Sequence, residues 1–434
     1  MKIETNKTTK ISNRIVSVLD IGSSKISCLV ARIKPDNSIE VIGIGHHASQ
    51  GVKSGTIVDL NAARAAVGQA VQAAENMASP HLKGQSLKSV FVNVPAPYCL
   101  SHNLSVEVRI SGHEVTEQDI EHALHQAKSL EVNGEDELIH VVPAAFSIDG
   151  HHGIQEPRGM FGQTLGVQVC AITAMTSTLR NISAIVGQNH LEIDGFCASS
   201  YASGLSCLVE DERELGCTVV DIGGGTTSIG VFFEGKIVYS DSIPLGGKHV
   251  TNDIARGLTT SIADAERIKN LYGGAMASAD DDTTLIDVPP IGEETNGQNH
   301  HIPKSLLVGI MQPRIEEIFE LVRARLDDSG MGQLSGRRVV LTGGGSQLEK
   351  ICELAQPILD KKIRLGKPRG IKGMAQSTEG PAFSTTAGLL LYAANHMEET
   401  AEKPVTEVIK FNFAMPSFSG NVLGKMTHWL KENW

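Results

Sequence analysis

The chain has 434 residues, a formal net charge of −11, 41% hydrophobic residues and 44 glycines. That length exceeds one hydrophobic core and implies two to four subdomains, while the acidity argues against a nucleic-acid partner, which needs clustered lysine and arginine. The seven cysteines form no CxxC pair and mostly fall in apolar runs, as buried thiols of a reducing compartment do, and the histidine pairs at 46–47, 151–152 and 300–301 have no second ligand pair nearby at zinc spacing. Residues 1–12 are polar, without the apolar core of a signal peptide, and no apolar run reaches the ~20 residues that span a bilayer.

In chain order, residues 14–32 read as strand, turn and strand, with Asp20, Gly22, Ser23, Ser24 and Lys25 at the turn. Residues 39–45 form another strand. Asp59 caps an alanine-rich helix over 60–77 with apolar residues at helical spacing. Character then changes. Strands at 89–94 and 105–110, a helix from Thr116 to about residue 130, and strands at 138–148 and 164–172 read as an inserted block. Thr116 with Asp119 three residues on makes an acidic variant of the capping box. Residues 181–190 are helical, and 199–205 form a small-residue helix suited to close backbone packing.

A second strand, turn and strand follows. The apolar run 218–222 leads into Gly223, Gly224, Gly225, Thr226 and Thr227, and 229–233 returns. A strand at 237–243, a turn at Gly246 and Gly247, and helices at 250–258 and 261–270 come next; Glu266 and Lys269 lie three apart on one face of the latter. Residues 273–304 are acidic, with an apolar run at 285–288, and read as a mobile edge hairpin and loop. A helix covers 303–326, with Pro313 expected to kink or start it. The strand 339–342 runs into Gly343, Gly344, Gly345 and Ser346, then a helix over 347–359; 384–396 forms a further apolar helix. A charged linker starts near residue 398, with a short strand near 408–413. At the end, Val422, Leu423, Met426, Trp429 and Leu430 make one apolar stripe, with Lys425 and Lys431 off it and both tryptophans of the chain included.

Three turns carry the chemistry. A Gly-rich hairpin tip with hydroxyls and a carboxylate at a strand end offers donors to phosphate oxygens and an acid to a hydrated metal. One Asp-Ile-Gly-Gly-Gly stretch alone is more often an ordinary hairpin turn. Its echo around Asp20 raises the phosphate reading, because two like hairpins imply an internal duplication, with two similar domains able to hold one phosphate chain between them. Glu266 and Lys269 are either a solvated ion pair or contacts to a ribose. The terminal stripe is either a helix docked on the chain's own core or an interfacial membrane anchor, the latter favoured by tryptophan at the tip and the linker before it.

These turns, in this order, resemble the actin, hexokinase and heat-shock chaperone superfamily. Within it the chain resembles the FtsA family, through the inserted block, the run 210–216, the stretch 219–226, the helix around 263–266, the stretch 341–344 and the amphipathic tail. The resemblance implies an α/β, actin-like two-domain ATPase fold with an inserted strand–helix–strand–strand subdomain and a C-terminal amphipathic helix. Its parts would be subdomain 1A (13–86, 169–205 and 384–399), 1C (87–168), 2A (206–250 and 336–383), 2B (251–335), a linker (400–418) and a membrane-targeting helix (419–434). It implies ATP between two domains: Asp20, Gly22, Ser23, Ser24 and Lys25 in the first phosphate loop; Asp221, Gly223, Gly224, Gly225, Thr226 and Thr227 in the second. Gly343, Gly344, Gly345 and Ser346 would meet adenosine, and Glu266 and Lys269 the ribose. Asp20 and Asp221 would face one Mg²⁺ through its waters.

The resemblance further implies an adaptor that forms head-to-tail filaments, contacts FtsZ near Arg314, and tethers the FtsZ ring to the cytoplasmic side of the inner membrane at the division septum. The insert would meet later division proteins. ATP turnover is expected to be slow at most. The competing class is a soluble phosphotransferase, a sugar-kinase relative with the same clamp, which needs a general base beside the γ-phosphate; no candidate stands out. A pilus-assembly actin homologue shares the architecture but not the terminal amphipathic helix.

Overall fold

The computed structural model describes residues 14–95, 99–129, 136–291, 300–331 and 334–402, the side chains as far as residue 396. The described residues up to 395 form one compact unit; of the second, 396–434, only the end of a helix to Glu402 is described. The expected linker, the strand near 408–413 and the amphipathic tail lie outside the described residues.

The first part of the chain builds β1 (Arg14–Ile21), β2 (Lys25–Ile33), β3 (Ile39–Ala48), the small hairpin β4 (Val52–Lys53) and β5 (Thr56–Ile57), α1 (Leu60–Leu82) and β6 (Ser89–Val94). Helix α1 starts because the Asp59 side chain accepts the amides of Asn61 and Ala62. Its buried face (Ala63, Ala66, Val67, Ala70, Val71, Ala74 and Ala78) recurs at three- and four-residue spacing. That face is nearly all alanine, and it lies so close to β3 that a Cβ on Gly45 would come within 1.9 Å of the Ala70 carbonyl.

Next come β7 (Cys99–Arg109), α2 (Glu117–Ser129), β8 (Asp136–Ile148), β9 (His151–Ile154) and β10 (Thr164–Met175). They form a separate sheet, ordered β7-β10-β8-β9, with its own core of Val106, Val108, Ile120, Leu165 and Val167 beneath α2. Asp119 accepts the Thr116 amide at 2.8 Å, which is the acidic capping box read from the sequence. The insert begins later than residue 87, because β6 pairs in parallel with β1 and belongs to the first sheet. One seam joins the insert to the strand at 236–243: Ser101 Oγ donates to the Ser240 carbonyl and accepts its amide, both at 2.9 Å.

The chain continues with α3 (Thr176–Gln188), β11 (Glu192–Ala198), α4 (Ser199–Cys207), α5 (Glu210–Leu215), β12 (Cys217–Ile222), β13 (Thr227–Phe233), β14 (Lys236–Ile243), α6 (Gly247–Gly257), α7 (Ile262–Tyr272), β15 (Leu285–Val288), β16 (His300–Pro303) and α8 (Lys304–Asp328). The last stretch holds β17 (Arg338–Thr342), a 3₁₀ turn (Gly344–Gln347), α9 (Ile351–Leu359), β18 (Lys362–Leu365), β19 (Ile371–Lys372) and α10 (Ser384–Glu402). Helix α8 runs through Pro313, so the proline does not start it. Helix α9 begins at Ile351 rather than 347, and α10 extends past residue 396. No helix of the described residues is long and apolar enough to cross a membrane.

The two main sheets repeat one topology. The first runs β11-β6-β1-β2-β3-β19; the second runs β14-β13-β12-β17-β18. In each, an antiparallel meander of three strands continues through a strand parallel to its first member. That is the duplication implied by the two Asp hairpins. Helices α4 and α10 cross between the halves with almost no side chain at the contact: a Cβ on Gly388 would lie 1.7 Å from the Ala202 carbonyl.

One buried ion cluster holds α5 to the second sheet. Glu212, 6% exposed, accepts from Arg364 and, at 3.1 Å, from Arg338. Burial alone would raise this carboxyl, but the arginines and the Val209 amide hold it near 2. Glu212→Ala should therefore cost about 3 kcal/mol, measured by urea denaturation at neutral pH. The deficit should shrink as pH falls from 4.5 toward 2 and the wild-type carboxyl takes its proton; an unchanged midpoint at neutral pH refutes the role.

Candidate functional site

The three Gly-rich turns converge. The β1–β2 and β12–β13 turns close alike: Gly22 N–H donates to Lys25 O at 3.1 Å and Gly223 N–H to Thr226 O at 2.9 Å. Behind the second turn, α6 begins on its backbone, with Gly247 N–H on Gly223 O at 2.9 Å and Lys248 N–H on Gly224 O at 2.7 Å. The third turn starts at Gly343 with φ +84°, and a Cβ there would lie 2.2 Å from Asp221 Oδ1, so only glycine fits. The two phosphate-type turns touch across the halves: a Cβ on Gly224 would sit 2.6 Å from Ser24 Cβ, and one on Gly225 2.8 Å from Ser23 Cβ.

Between them lies a cavity of about 650 Å³. Asp20, Gly22, Ser23, Ser24 and Lys25 line it from one half; Asp221, Gly223, Gly224, Gly225 and Thr226 face them; Glu266, Lys269, Gly343, Gly344 and Gly345 complete the wall. Two expected residues do not reach it. Thr227 is fully buried and donates to Leu245 O at 2.9 Å, while Ser346 Oγ turns back to Gly343 O at 2.8 Å. Sequence reasoning missed Lys248, Thr385, Asn93 and Ser199, which also line the cavity. Lys248 alone carried a signal, as a cation in the first turn of a helix after Gly246 and Gly247.

Asp20 and Asp221 are each 7% exposed. Burial pushes the Asp20 carboxyl up to about 6 and raises Asp221 as well. The same desolvation, opposed by the two carboxylates, lowers the Lys25 ammonium to about 8. The raised Asp20 carboxyl costs the fold stability as pH rises through about 6, a cost that a cation between the carboxylates offsets. Lys25 offsets only part of it, its Nζ donating to Ala382 O and sitting 3.1 Å from the Phe383 ring centroid. Two hard carboxylates from opposite halves, with room between them, suit a hydrated divalent ion.

Glu266 and Lys269 form an ion pair at 2.7 Å, and Lys269 also donates to Thr251 Oγ1 at 2.8 Å. Apolar side chains line the cavity on this side, among them Ile315, Ile318, Leu348 and Ile351, suited to a flat ring. Lys248 Nζ donates to Ser23 O at 2.7 Å and so ties the second half to the first turn. Arg314 stands apart on α8, held by Asp253 at 2.6 and 3.2 Å and by Glu317.

Two family models match this chain: the cell division protein FtsA over residues 218–388 and the SHS2 domain inserted in FtsA over residues 98–173. The chain is 44% identical over 390 residues to the cell division protein FtsA of Rhizobium meliloti (strain 1021), covering 88% of this chain and 87% of that protein. It is 40% identical over 435 residues to its counterpart in Agrobacterium fabrum, covering 97% and 95%. Among solved structures, the PilM-PilN type IV pilus biogenesis complex matches with a TM-score of 0.61 at 17% identity, covering 87% of this chain and 98% of that one. MreB5 of Spiroplasma citri bound to ADP matches with 0.53 at 14%, covering 90% and 99%. These two carry the fold alone. With such identity along nearly its whole length, an actin-like pair of duplicated halves and the SHS2 insert, the chain is an actin-like cell-division protein and belongs to the FtsA family.

Proposed function

We propose that this protein is a nucleotide-gated membrane adaptor of the division machinery. It binds Mg-ATP in the cleft, polymerises head to tail, and tethers the FtsZ ring to the cytoplasmic face of the inner membrane at the septum. The observation that carries the nucleotide reading is the paired hairpins, which bring Asp20 and Asp221 from opposite halves to one cavity. The ADP named with the Spiroplasma MreB5 neighbour supports it. The turn amides and hydroxyls would take the phosphates, Gly343 to Gly345 and the isoleucines the base, and Glu266 and Lys269 the ribose. Asp20 and Asp221 would hold Mg²⁺ through its waters; the ion supplies charge to the phosphate chain, and the residues fix where it sits. Arg314 is the proposed FtsZ contact, and the insert the surface for later division proteins.

The tail, residues 419–434, is the proposed anchor. Its five apolar side chains give on the order of 8–12 kcal/mol gross, which the ordering of fifteen residues at ~1 kcal/mol each largely offsets. One tail binds weakly; many on a filament bind firmly. The test is liposome co-sedimentation with Mg-ATP of the full chain against a truncation ending at Ser417. Only the full chain should pellet with anionic vesicles. If neither pellets, the anchor reading fails.

A further inference from the structure

Two consecutive threonines on α10 reach carboxylates that belong to different halves of the molecule. Thr385 Oγ1 donates to Asp221 Oδ2 at 2.8 Å, and Thr386 Oγ1 donates to Asp20 Oδ2 at 2.8 Å. Successive positions on a helix lie ~100° apart, so adjacent hydroxyls diverge, and here one meets the end of β12 while the other meets the end of β1. Just ahead of them, Ser384 Oγ meets Thr342 Oγ1 at 2.7 Å at the end of β17. The first turn of α10 thus touches all three strands that carry the Gly-rich turns.

Further hydroxyls steady both contacts. Ser203 on α4 also donates to Asp221 Oδ2 and lies 3.0 Å from Thr385 Oγ1, and Ser27 Oγ lies 2.8 Å from Thr386 Oγ1. In both carboxylates the threonine takes Oδ2, and neither takes Oδ1. Each acid is therefore oriented through its Oδ2, and both acids line the cavity. The N-terminal end of α10 also places the positive end of a helix dipole beside two buried like charges. A small divalent ion demands near-octahedral geometry and keeps several waters, so carboxylates that receive it through water have to be held at a set spacing. Hydrogen bonds behind such ligands typically account for 10- to 100-fold in metal affinity.

We propose that Thr385 and Thr386 are one positioning device, which sets the two carboxylates for a divalent cation and makes nucleotide binding through α10 cation-dependent. The inference rests on the nucleotide reading above. It differs from a mere need to satisfy buried acids in what it predicts: loss of the hydroxyls weakens binding far more when the cation is present.

The experiment is ATP titration calorimetry on the full chain, in excess Mg²⁺ and in EDTA, with Mn²⁺ binding followed by electron paramagnetic resonance in the presence of ATP. The double Thr385→Val and Thr386→Val variant should lose roughly 10- to 100-fold in ATP affinity with Mg²⁺, lose far less in EDTA, and lose bound Mn²⁺. The double serine variant, which keeps both hydroxyls, should restore the Mg²⁺ affinity. Equal losses in both buffers would reduce the threonines to structural packing and overturn the inference; so would Mg²⁺ affinity within about two-fold of wild type. If the double valine chain does not fold, as judged by circular dichroism, Thr386→Val alone gives the same ratio of losses. A wild-type chain that takes no ATP in either buffer sinks the nucleotide reading and this inference together, an outcome distinct from both variant results.

Discussion

Gly388→Val should destabilise the protein by at least about 3 kcal/mol, or leave it insoluble. The added Cβ alone would lie 1.7 Å from the Ala202 carbonyl and 2.9 Å from its Cα. These are backbone atoms of α4, so no rotamer change relieves the overlap; the crossing helices have to separate. On the other side of α4, a Cβ on Gly204 would meet the Phe232 ring at 2.1 Å, so α4 has no room to retreat. Because α4 and α10 also carry Ser203, Thr385 and Thr386, the damage should reach the carboxylates: thermal melting and ATP binding should fall together. A Gly388→Val chain that melts at the wild-type temperature would show that the crossing is looser than the geometry requires.

Gly224→Val acts at the other end of the cleft. Its first added carbon would lie 2.6 Å from Ser24 Cβ and 3.2 Å from Ser24 N, so the two turns cannot stay in contact. Pulling them apart removes donors from one side of a bound phosphate chain. Charge-assisted hydrogen bonds are worth about 1.5–3 kcal/mol each, so the loss of two gives a drop on the order of 100-fold or more in ATP affinity. Thermal stability should change much less, since both turns sit at strand ends outside the cores. Asp20→Ala should weaken Mg-ATP binding from the facing half. Unchanged ATP affinity in both variants would undo the assignment of the cleft.

The strands around the two Asp turns were readable because they are apolar runs covered on both faces: all six residues of β12 are buried. The duplication was readable because both copies keep an aspartate at the same place before their glycines, and the sheets repeat one order around them. Helix α1 announced itself through Asp59 and its alanine spacing. The edge of the insert was not readable. Strand β6 has the same apolar look as the insert's strands, and only its pairing with β1, from Val18 to Phe91, assigns it to the first sheet. The helix expected from residue 347 gave way to a 3₁₀ turn, since Gly343 and Gly345 pack against Ile222 and leave α9 to start later. Thr385 and Thr386 escaped notice because nothing local marks them: their partners lie 164 and 366 residues away in the chain. Thr227 and Ser346 show the converse. Their place beside a Gly-rich turn suggested ligand contact, but strand alternation and a local turn point their hydroxyls inward.

Lys248 bears on time more than on affinity. Its ammonium leaves α6 in one half and ends on Ser23 O in the other, at 2.7 Å, so the halves part only after that bond breaks. Burial lowers the pKa of this half-buried ammonium and Glu266 opposes the shift; the lysine sits where a filled cavity would wall it off from the water that could replace Ser23. On the proposed nucleotide reading, release would wait on this bond, and differences in affinity between variants of the cleft should show mainly as differences in residence time.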